Sequence, residues 1–543
     1  MISLSKKSHF ILLYLVIISI CYIFESCTHQ TVPISNVKLG GTYRIPIVSE
    51  ISCLDPLCGE LYTWSIGSQI FEGLVTFSKD GSHIIPLLAE RFEIKDSSII
   101  FYLRKHVYFQ NDPCFLKGRG RIVAASDVKY SFERFFNLLK TSTNSNSPEF
   151  FISGLKDFFN GRTDHVNGLE VINDLTLKIK TKKSFHVLKQ LASHHFFVIP
   201  KEAVDYYSED FKLHPVGTGP FRFSEFVANE KLVLVKNEYY WDYKNGIKLP
   251  YLDAIEYIMY PLHAGEKILL DFQIGKIDEC GSEISKYIND QVEQNILGNI
   301  TFKNWFKEKK IKFVKATLFN KLRYLEVNFD NQKVRQAISY SINRKLLIKQ
   351  KNNIFEKYIS AQGPIPPNNK YFNKQLLLQH YNIVKAKKLL EEAGYPHGIG
   401  LPEFSLLTAP SSDAGIILKN LRSIGIKIKK TDPFPGWRKL VGKSNVITRM
   451  LTINTFPFDV NINEFAETEE CLSDSNFKEL YSIWQKNNNT KLINQIEKMI
   501  ASITPVVFLY YISSDYRFLH KYVMGRQLGN AWGHKLEYVW LDK

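Results

Sequence analysis

The chain reads as a mixed α/β protein built from several folded units, and three observations predict it. Its 543 residues exceed what one hydrophobic core supports, which calls for two or three units. Strand-like alternation and helical spacing follow one another along the whole length, with no fixed repeat period of the solenoid or propeller kind. Apolar residues at 45% and charged residues at 23% supply an ordinary core and surface, which excludes global disorder.

Taken in order, a polar stretch over 28–37 precedes residues 41–48, whose partial alternation predicts a first strand. Residues 64–74 have helical spacing, and Lys79-Asp80-Gly81 supplies a turn. Residues 92–94 and 99–103 flank the polar Lys95-Asp96-Ser97-Ser98 and predict a hairpin. Ser126 is the expected N-cap of a helix over 127–136, with Asp127 at the positive end of its dipole. An Asn/Ser-rich loop is expected at 141–148, then a strand pair over 169–180 turning at Asn173-Asp174. A turn at 215–220 leads to a strand at 232–235. Farther on, helices are predicted at 334–349, 383–393 and 413–424, and strands at 404–407, 426–428 and 447–453.

The net charge of +16 raises nucleic acid as a partner, but the lysines are interspersed with acids. Only 307–312 and 427–430 form short basic runs, and the sequence shows no clustering of basics beside stacking aromatics on one sheet face, so a solvated face is the reading and no nucleic acid is expected. At the N-terminus Lys6 and Lys7 precede the apolar run Phe10 to Phe24, followed by Ser26-Cys27. This stretch of 15 residues falls short of the roughly 20 that cross a bilayer, and the arrangement is that of an export signal. A cysteine just past such a run resembles a bacterial lipobox, which makes Cys27 the lipidation site of a chain anchored in the cell envelope. Phe24 and Glu25 depart from that pattern, so a plain signal peptide cut nearby and an uncleaved anchor stay open.

Beyond Cys21 and Cys27, five cysteines remain, an odd number that leaves at least one thiol. Cys53 and Cys58 are close enough in sequence to pair. Their spacing has no second pair behind it, which argues against zinc. No G-x-S-x-G, H-E-x-x-H, P-loop or dinucleotide fingerprint occurs, so neither catalytic residue nor cofactor is expected, and the chain reads as no enzyme. His194 and His195 are adjacent, which on a strand points them to opposite faces and weakens them as metal ligands.

What stands out is an ordered series of segments. Leu54-Asp55-Pro56, QIFEGLV from Gln69, PLLAE from Pro86, FYLRKHVYF from Phe101 and ASDVKYSFER from Ala125 come first. PVGTGPF from Pro215, NEYYW from Asn237, GKID from Gly275, VRQAISYSI from Val334, AKKLLEEAGY from Ala386 and GIK from Gly425 follow. Together they resemble family 5 of the bacterial extracellular solute-binding proteins, the periplasmic oligopeptide, dipeptide and nickel binders of ABC importers. Taken residue by residue, many also have plain structural readings: Gly217 and Gly219 suit a tight turn, and Gly394 a helix C-cap.

The resemblance implies a periplasmic-binding-protein-like fold of type II (cluster C), with two lobes closing over a ligand and an extra domain in the N-terminal lobe. It divides the chain into a signal peptide (1–26), a tether (27–37), lobe I (38–80, 185–280 and 505–543), domain II (81–184) and lobe II (281–504). It implies ligand contacts at Glu60, Leu61 and Tyr62 on one side and at Arg449, Leu451, Thr452 and Ile453 on the other, with Trp437 as a cleft aromatic. Thr455 stands where oligopeptide binders carry the aspartate that anchors the ligand α-ammonium. A buried ammonium without an anion costs several kcal/mol in rough terms, which leaves Asp459 or Glu464 as substitutes. The implied partners are a short peptide, a permease and an ATPase, with the chain a monomer. A nickel chelate or other small solute, and a sensory protein that has lost transport, are the competing readings.

Overall fold

The computed structural model describes residues 37–543 other than 49, 59–62, 79–82, 96, 142–151, 182–183, 285–310, 316–320, 350, 352–356, 362, 368, 370, 374–375, 377–379, 408–411, 432–446, 455–461, 463–464, 467, 488–489, 514–515 and 529–534. Strand β1 (Thr42–Ile47) is followed by helix α1 (Thr63–Ile70) and by the hairpin of β2 (Ala89–Lys95) and β3 (Ser98–Leu103). Helix α2 (Ala125–Thr141) leads to a second hairpin, β4 (Leu169–Asn173) and β5 (Thr176–Lys180), and to helix α3 (Ser184–Gln190). Strands β6 (Phe221–Val227), β7 (Lys231–Lys236) and β8 (Ala254–Met259) complete a four-stranded sheet in the order β1-β8-β7-β6. The two hairpins form a second sheet, β2-β3-β5-β4, whose inward residues Phe101, Leu103, Leu177 and Ile179 are buried. On α2, Val128, Phe132, Phe135 and Phe136 recur at helical spacing and pack in the same core.

That helix starts two residues earlier than expected, and Ser126 lies inside it. The capping group is Asp127, whose carboxylate accepts the Ala124 N–H at 2.8 Å. His194 and His195 also differ from expectation: they sit on a short 3₁₀ turn, not a strand, and their ring centroids are 3.8 Å apart. Burial lowers both, His194 to about 3, so the His194 ring is uncharged at neutral pH.

Several of the sequence motifs converge on one buried carboxylate. Glu72 accepts hydrogen bonds from the Thr218 hydroxyl at 2.9 Å, the Tyr240 hydroxyl at 3.1 Å and the Trp241 indole N–H at 3.0 Å. Burial nonetheless pushes it up to about 7. The Arg104 guanidinium covers the Trp241 ring at 4.3 Å and donates to the Leu87 carbonyl. Gly217 and Gly219 are where this packing is tightest, since a Cβ would lie 2.1 Å from the Ile70 carbonyl oxygen and 2.5 Å from that of Gln69. Gly217→Ala is expected to destabilise the protein by about 2 kcal/mol or more in urea unfolding, because backbone has to move to admit one methyl.

Past β8 the chain forms β9 (Glu279–Cys280) and β10 (Ile311–Lys315), then β11 (Lys321–Val327) and helix α4 (Gln332–Ser341). Next come β12 (Lys357–Ser360), α5 (Ile383–Glu392), β13 (Phe404–Leu407), α6 (Ser412–Ser423), β14 (Ile428–Thr431) and β15 (Ile447–Asn454). Helices α7 (Ser475–Asn487) and α8 (Ile493–Ile503) precede β16 (Val506–Ser513) and β17 (Tyr516–His520). Six strands make one sheet in the order β12-β16-β11-β15-β13-β14. Its central strand β11 buries Leu322 and Tyr324 on one face and Leu325 and Val327 on the other, each under its own helices. The predicted helix over 334–349 is two helices, because Asn343 caps a fresh one by accepting the Leu346 N–H.

Two passages connect this lobe to the first. The chain enters from β10 to β11 through 316–320 and returns from β16 to β17 through 514–515. β10 pairs with β17 in a three-stranded sheet with β9, while β11 pairs with β16 in the six-stranded sheet. The same two segments are therefore paired on both sides of the crossing. These pairings lie on the other side of two expected boundaries: β16 belongs to the sheet of lobe II although lobe I was to resume at 505, and β10 pairs in lobe I although lobe II was to start at 281. Strand partnership, which sequence pattern does not reveal, decides both.

Candidate ligand-binding cleft

The lobe I segment that leads toward Glu60, Leu61 and Tyr62 is fixed by three separate devices. Cys53 and Cys58 form a disulfide with Cα atoms 6.2 Å apart. Within that ring Asp55 accepts the Leu57 N–H at 3.0 Å and meets the Arg134 guanidinium in a two-pronged ion pair, with Nη1 2.9 Å from Oδ1 and Nη2 on Oδ2. The Leu54 N–H donates to the Lys212 carbonyl at 2.6 Å. Asp55 is the centre of the Leu-Asp-Pro motif and Arg134 the end of the ASDVKYSFER motif, so two signatures 79 residues apart hold one turn. A second arginine, Arg121, ties Asp127 on α2 to Glu202, with contacts of 2.6–2.7 Å.

In lobe II, Arg449, Leu451, Thr452 and Ile453 lie on β15. Arg449 is opposite Glu326 of β11 and Leu407 of β13, and Leu451, Thr452 and Ile453 are opposite Tyr324, Arg323 and Leu322. β13 ends at Leu407, so among the described residues 450–454 of β15 have a strand partner on the β11 side only. Such an edge presents N–H and C=O groups in the alternating pattern that pairs with an extended chain. Glu60, Leu61, Tyr62, Trp437, Thr455, Asp459, Glu464 and Cys27 lie outside the described residues.

Beside the passage between lobes sits a buried charge cluster that sequence reasoning missed. Glu279 on β9 receives Arg526 through Nε at 2.8 Å and Nη2 at 3.3 Å, and the Tyr43 hydroxyl at 2.6 Å. Arg517 on β17 lies 3.5 Å away. Next to it, the carboxylate of Asp278, from the GKID motif, takes the Arg44 N–H at 2.7 Å and the Tyr522 hydroxyl at 2.7 Å. The only foreshadowing was that motif itself.

A cavity of about 70 Å³ lies against Glu72, His194 and Tyr240, with Lys535 and Glu537 on its wall. That volume holds waters and not a peptide residue. Among the described residues no three His, Cys, Asp or Glu side chains gather as a metal site. No helix among the described residues is long and apolar enough to cross a membrane.

Residues 83–464, more than half of the chain, match the bacterial extracellular solute-binding proteins, family 5, in its middle region. The chain belongs to that family. Two relatives are similar to it over much of its length. Glutathione-binding protein GsiB of Pectobacterium atrosepticum is 27% identical over 408 residues, 73% of this chain and 70% of that protein. Heme-binding protein A of Haemophilus influenzae is 27% identical over 350 residues, 61% of this chain and 57% of that protein, so the match spans little more than half the length of that relative. Among solved structures, the ABC transporter-associated periplasmic binding protein DppA of Helicobacter pylori, in complex with peptide STSA, has a TM-score of 0.67 at 23% identity, covering 93% of this chain and 99% of its own. The family 5 solute-binding chain therefore has the two-lobed mixed α/β fold of the periplasmic binding proteins.

Proposed function

We propose that this family 5 protein is the substrate-binding component of an ABC importer, capturing short peptides or peptide-like fragments between its lobes. The observation that carries the reading is the backbone edge of β15 at 450–454, partnered among the described residues on one side only. Strand addition gives affinity through main-chain hydrogen bonds whatever the side chains are, which suits a transporter that accepts many sequences. Two of the relatives support a peptide-like ligand, since one binds glutathione and the Helicobacter pylori protein holds a peptide, while the heme-binding relative stands for the small non-peptide alternative.

In this reading Glu60, Leu61 and Tyr62 face Arg449, Leu451, Thr452 and Ile453 across the cleft, and Trp437, Thr455 and Asp459 complete the wall. The chain does no bond-making, acts as a monomer in the periplasm and is tethered by lipid on Cys27. A single acyl chain binds membranes only marginally, so the anchor carries more than one. Delivery requires an integral permease and a cytosolic ATPase.

Native mass spectrometry of the full chain purified from its own host is expected to show a ladder of bound peptide masses. Glu60→Ala combined with Arg449→Ala is expected to weaken binding of those peptides about tenfold or more by calorimetry, with the melting temperature unchanged. A single non-peptide mass would overturn the ligand class, and unchanged affinity would remove these residues from the cleft.

A further inference from the structure

The five buried apolar clusters each fall wholly on one side of the passages at 316–320 and 514–515. No shared hydrophobic core among the described residues holds the lobes together. A contact that spans them among the described residues, away from the paired strands, therefore carries weight.

Lys189 on α3 of lobe I holds its Nζ 5.7 Å from the ring centroid of Trp484 on α7 of lobe II. Both residues are buried, at 8% and 3% exposure. Lysine is among the residues least often buried, and here the opposite lobe supplies part of its cover. Trp484 ends a row of rings on one face of α7, with Phe477 and Tyr481 stacked at 5.8 Å and Tyr481 and Trp484 at 5.6 Å. Spacings of four and three residues put the three rings on that face. The indole N–H of Trp484 is buried with no hydrogen-bond acceptor. An unsatisfied donor is a cost to the fold of lobe II. The ring face, in contrast, gains when a cation is brought over it in a site that excludes water.

We propose that Lys189 and Trp484 form a latch that biases the two lobes toward the closed arrangement. A desolvated cation over an indole changes the closed-to-open ratio by about 2- to 30-fold. Because the affinity of a clamp follows the fraction of molecules able to close, the latch sets a baseline for binding without touching the ligand. The inference rests on the two-lobed fold and not on the nature of the ligand.

The test uses the full chain with no added ligand, measured by small-angle X-ray scattering and by ¹⁹F NMR after 5-fluorotryptophan labelling. Trp484→Phe keeps an aromatic face and identifies the Trp484 line by its loss. Lys189→Met keeps the aliphatic stem and removes the charge; the Trp484 line is expected to shift and the radius of gyration to rise. Lys189→Arg is expected to keep the wild-type scattering, and Lys189→Gln replaces the Met variant should that fail to fold. Scattering and a Trp484 line unchanged by loss of the charge overturn the latch, as does an Arg variant that opens like the neutral one. Since no peptide enters the measurement, its failure leaves peptide capture standing.

Discussion

Replacing Arg526 by alanine is expected to cost about 3–5 kcal/mol at neutral pH and to reverse the way stability responds to acid. The reason is Glu279, a carboxylate with 2% exposure. Burial alone would push its carboxyl up, but the charges of Arg526 and Arg517, with hydrogen bonds from Arg526 and Tyr43, outweigh that and hold it at about 2 against an ordinary 4.5. A carboxyl lowered by folding contributes stability that is complete above pH 4.5 and lost as pH falls through 2. Across that interval the contribution is about 3 kcal/mol. Without Arg526 the burial remains and the main counter-charge is gone, so the carboxyl moves above its ordinary value. The variant then loses stability as pH rises through 4.5, where the parent has already gained it. Urea midpoints between pH 3 and 8 check the sign, and Arg526→Ala with Glu279→Gln is expected to recover much of the loss. A single variant as stable as the parent at pH 7 would mean that the cluster does not secure lobe I.

Glu497 is the opposite case, and Glu497→Gln is expected to stabilise the protein at pH 9 by about 3–5 kcal/mol while changing little at pH 4.5. The side chain lies on α8 with 1% exposure, and its Oε2 has no hydrogen-bond partner. Burial raises it to about 8, with the Ile365 N–H donating in partial opposition. Above it the chain at 363–365 is tied down by the Tyr511 hydroxyl, which donates to the Gly363 carbonyl and, at 2.7 Å, to that of Ile365. A raised carboxyl means that the folded chain keeps a proton the unfolded chain releases. Stability therefore falls as pH climbs from 4.5 to 8 and is flat beyond. A glutamine keeps an acceptor for Ile365 and never ionises, so the difference between variant and parent should grow across that window and then level off. A flat difference from pH 5 to 9 would show that the carboxyl ionises freely.

Much of the secondary structure was legible because its causes are local. The hairpins over 89–103 and 169–180 follow from alternation around polar turns, and α5 from helical spacing that stops at Gly394, whose φ of +87° suits glycine. The misreadings have local causes as well. Ser126 has the side chain of an N-cap, but a carboxylate one residue later reaches the free N–H first. The histidine pair was read with strand geometry beside the following Phe196-Phe197, whereas a 3₁₀ turn brings the rings together.

The proposed binding residues rest only on likeness to a family, since recognition through the main chain would leave no side-chain signature to find. Their supports were not legible at all. Arg335 lies near the start of the helix predicted from 334, yet Asn331 caps that helix and Arg335 reaches the carbonyls of Thr504 at 2.8 Å and Ile503 at 3.3 Å, at the far end of α8.

From the order of residues alone came the mixed α/β class, the family and the positions where glycine is required. Those properties are set by neighbours within a few positions, or by signatures that keep their order along the chain. Tertiary structure alone decided that Glu72 gathers donors from 218, 240 and 241, that Asp55 meets Arg134, that β16 belongs to lobe II, and that Lys189 meets Trp484 across the lobes. Each joins groups far apart in the chain, and their energies depend on burial and distance, which do not exist until the chain has closed on itself.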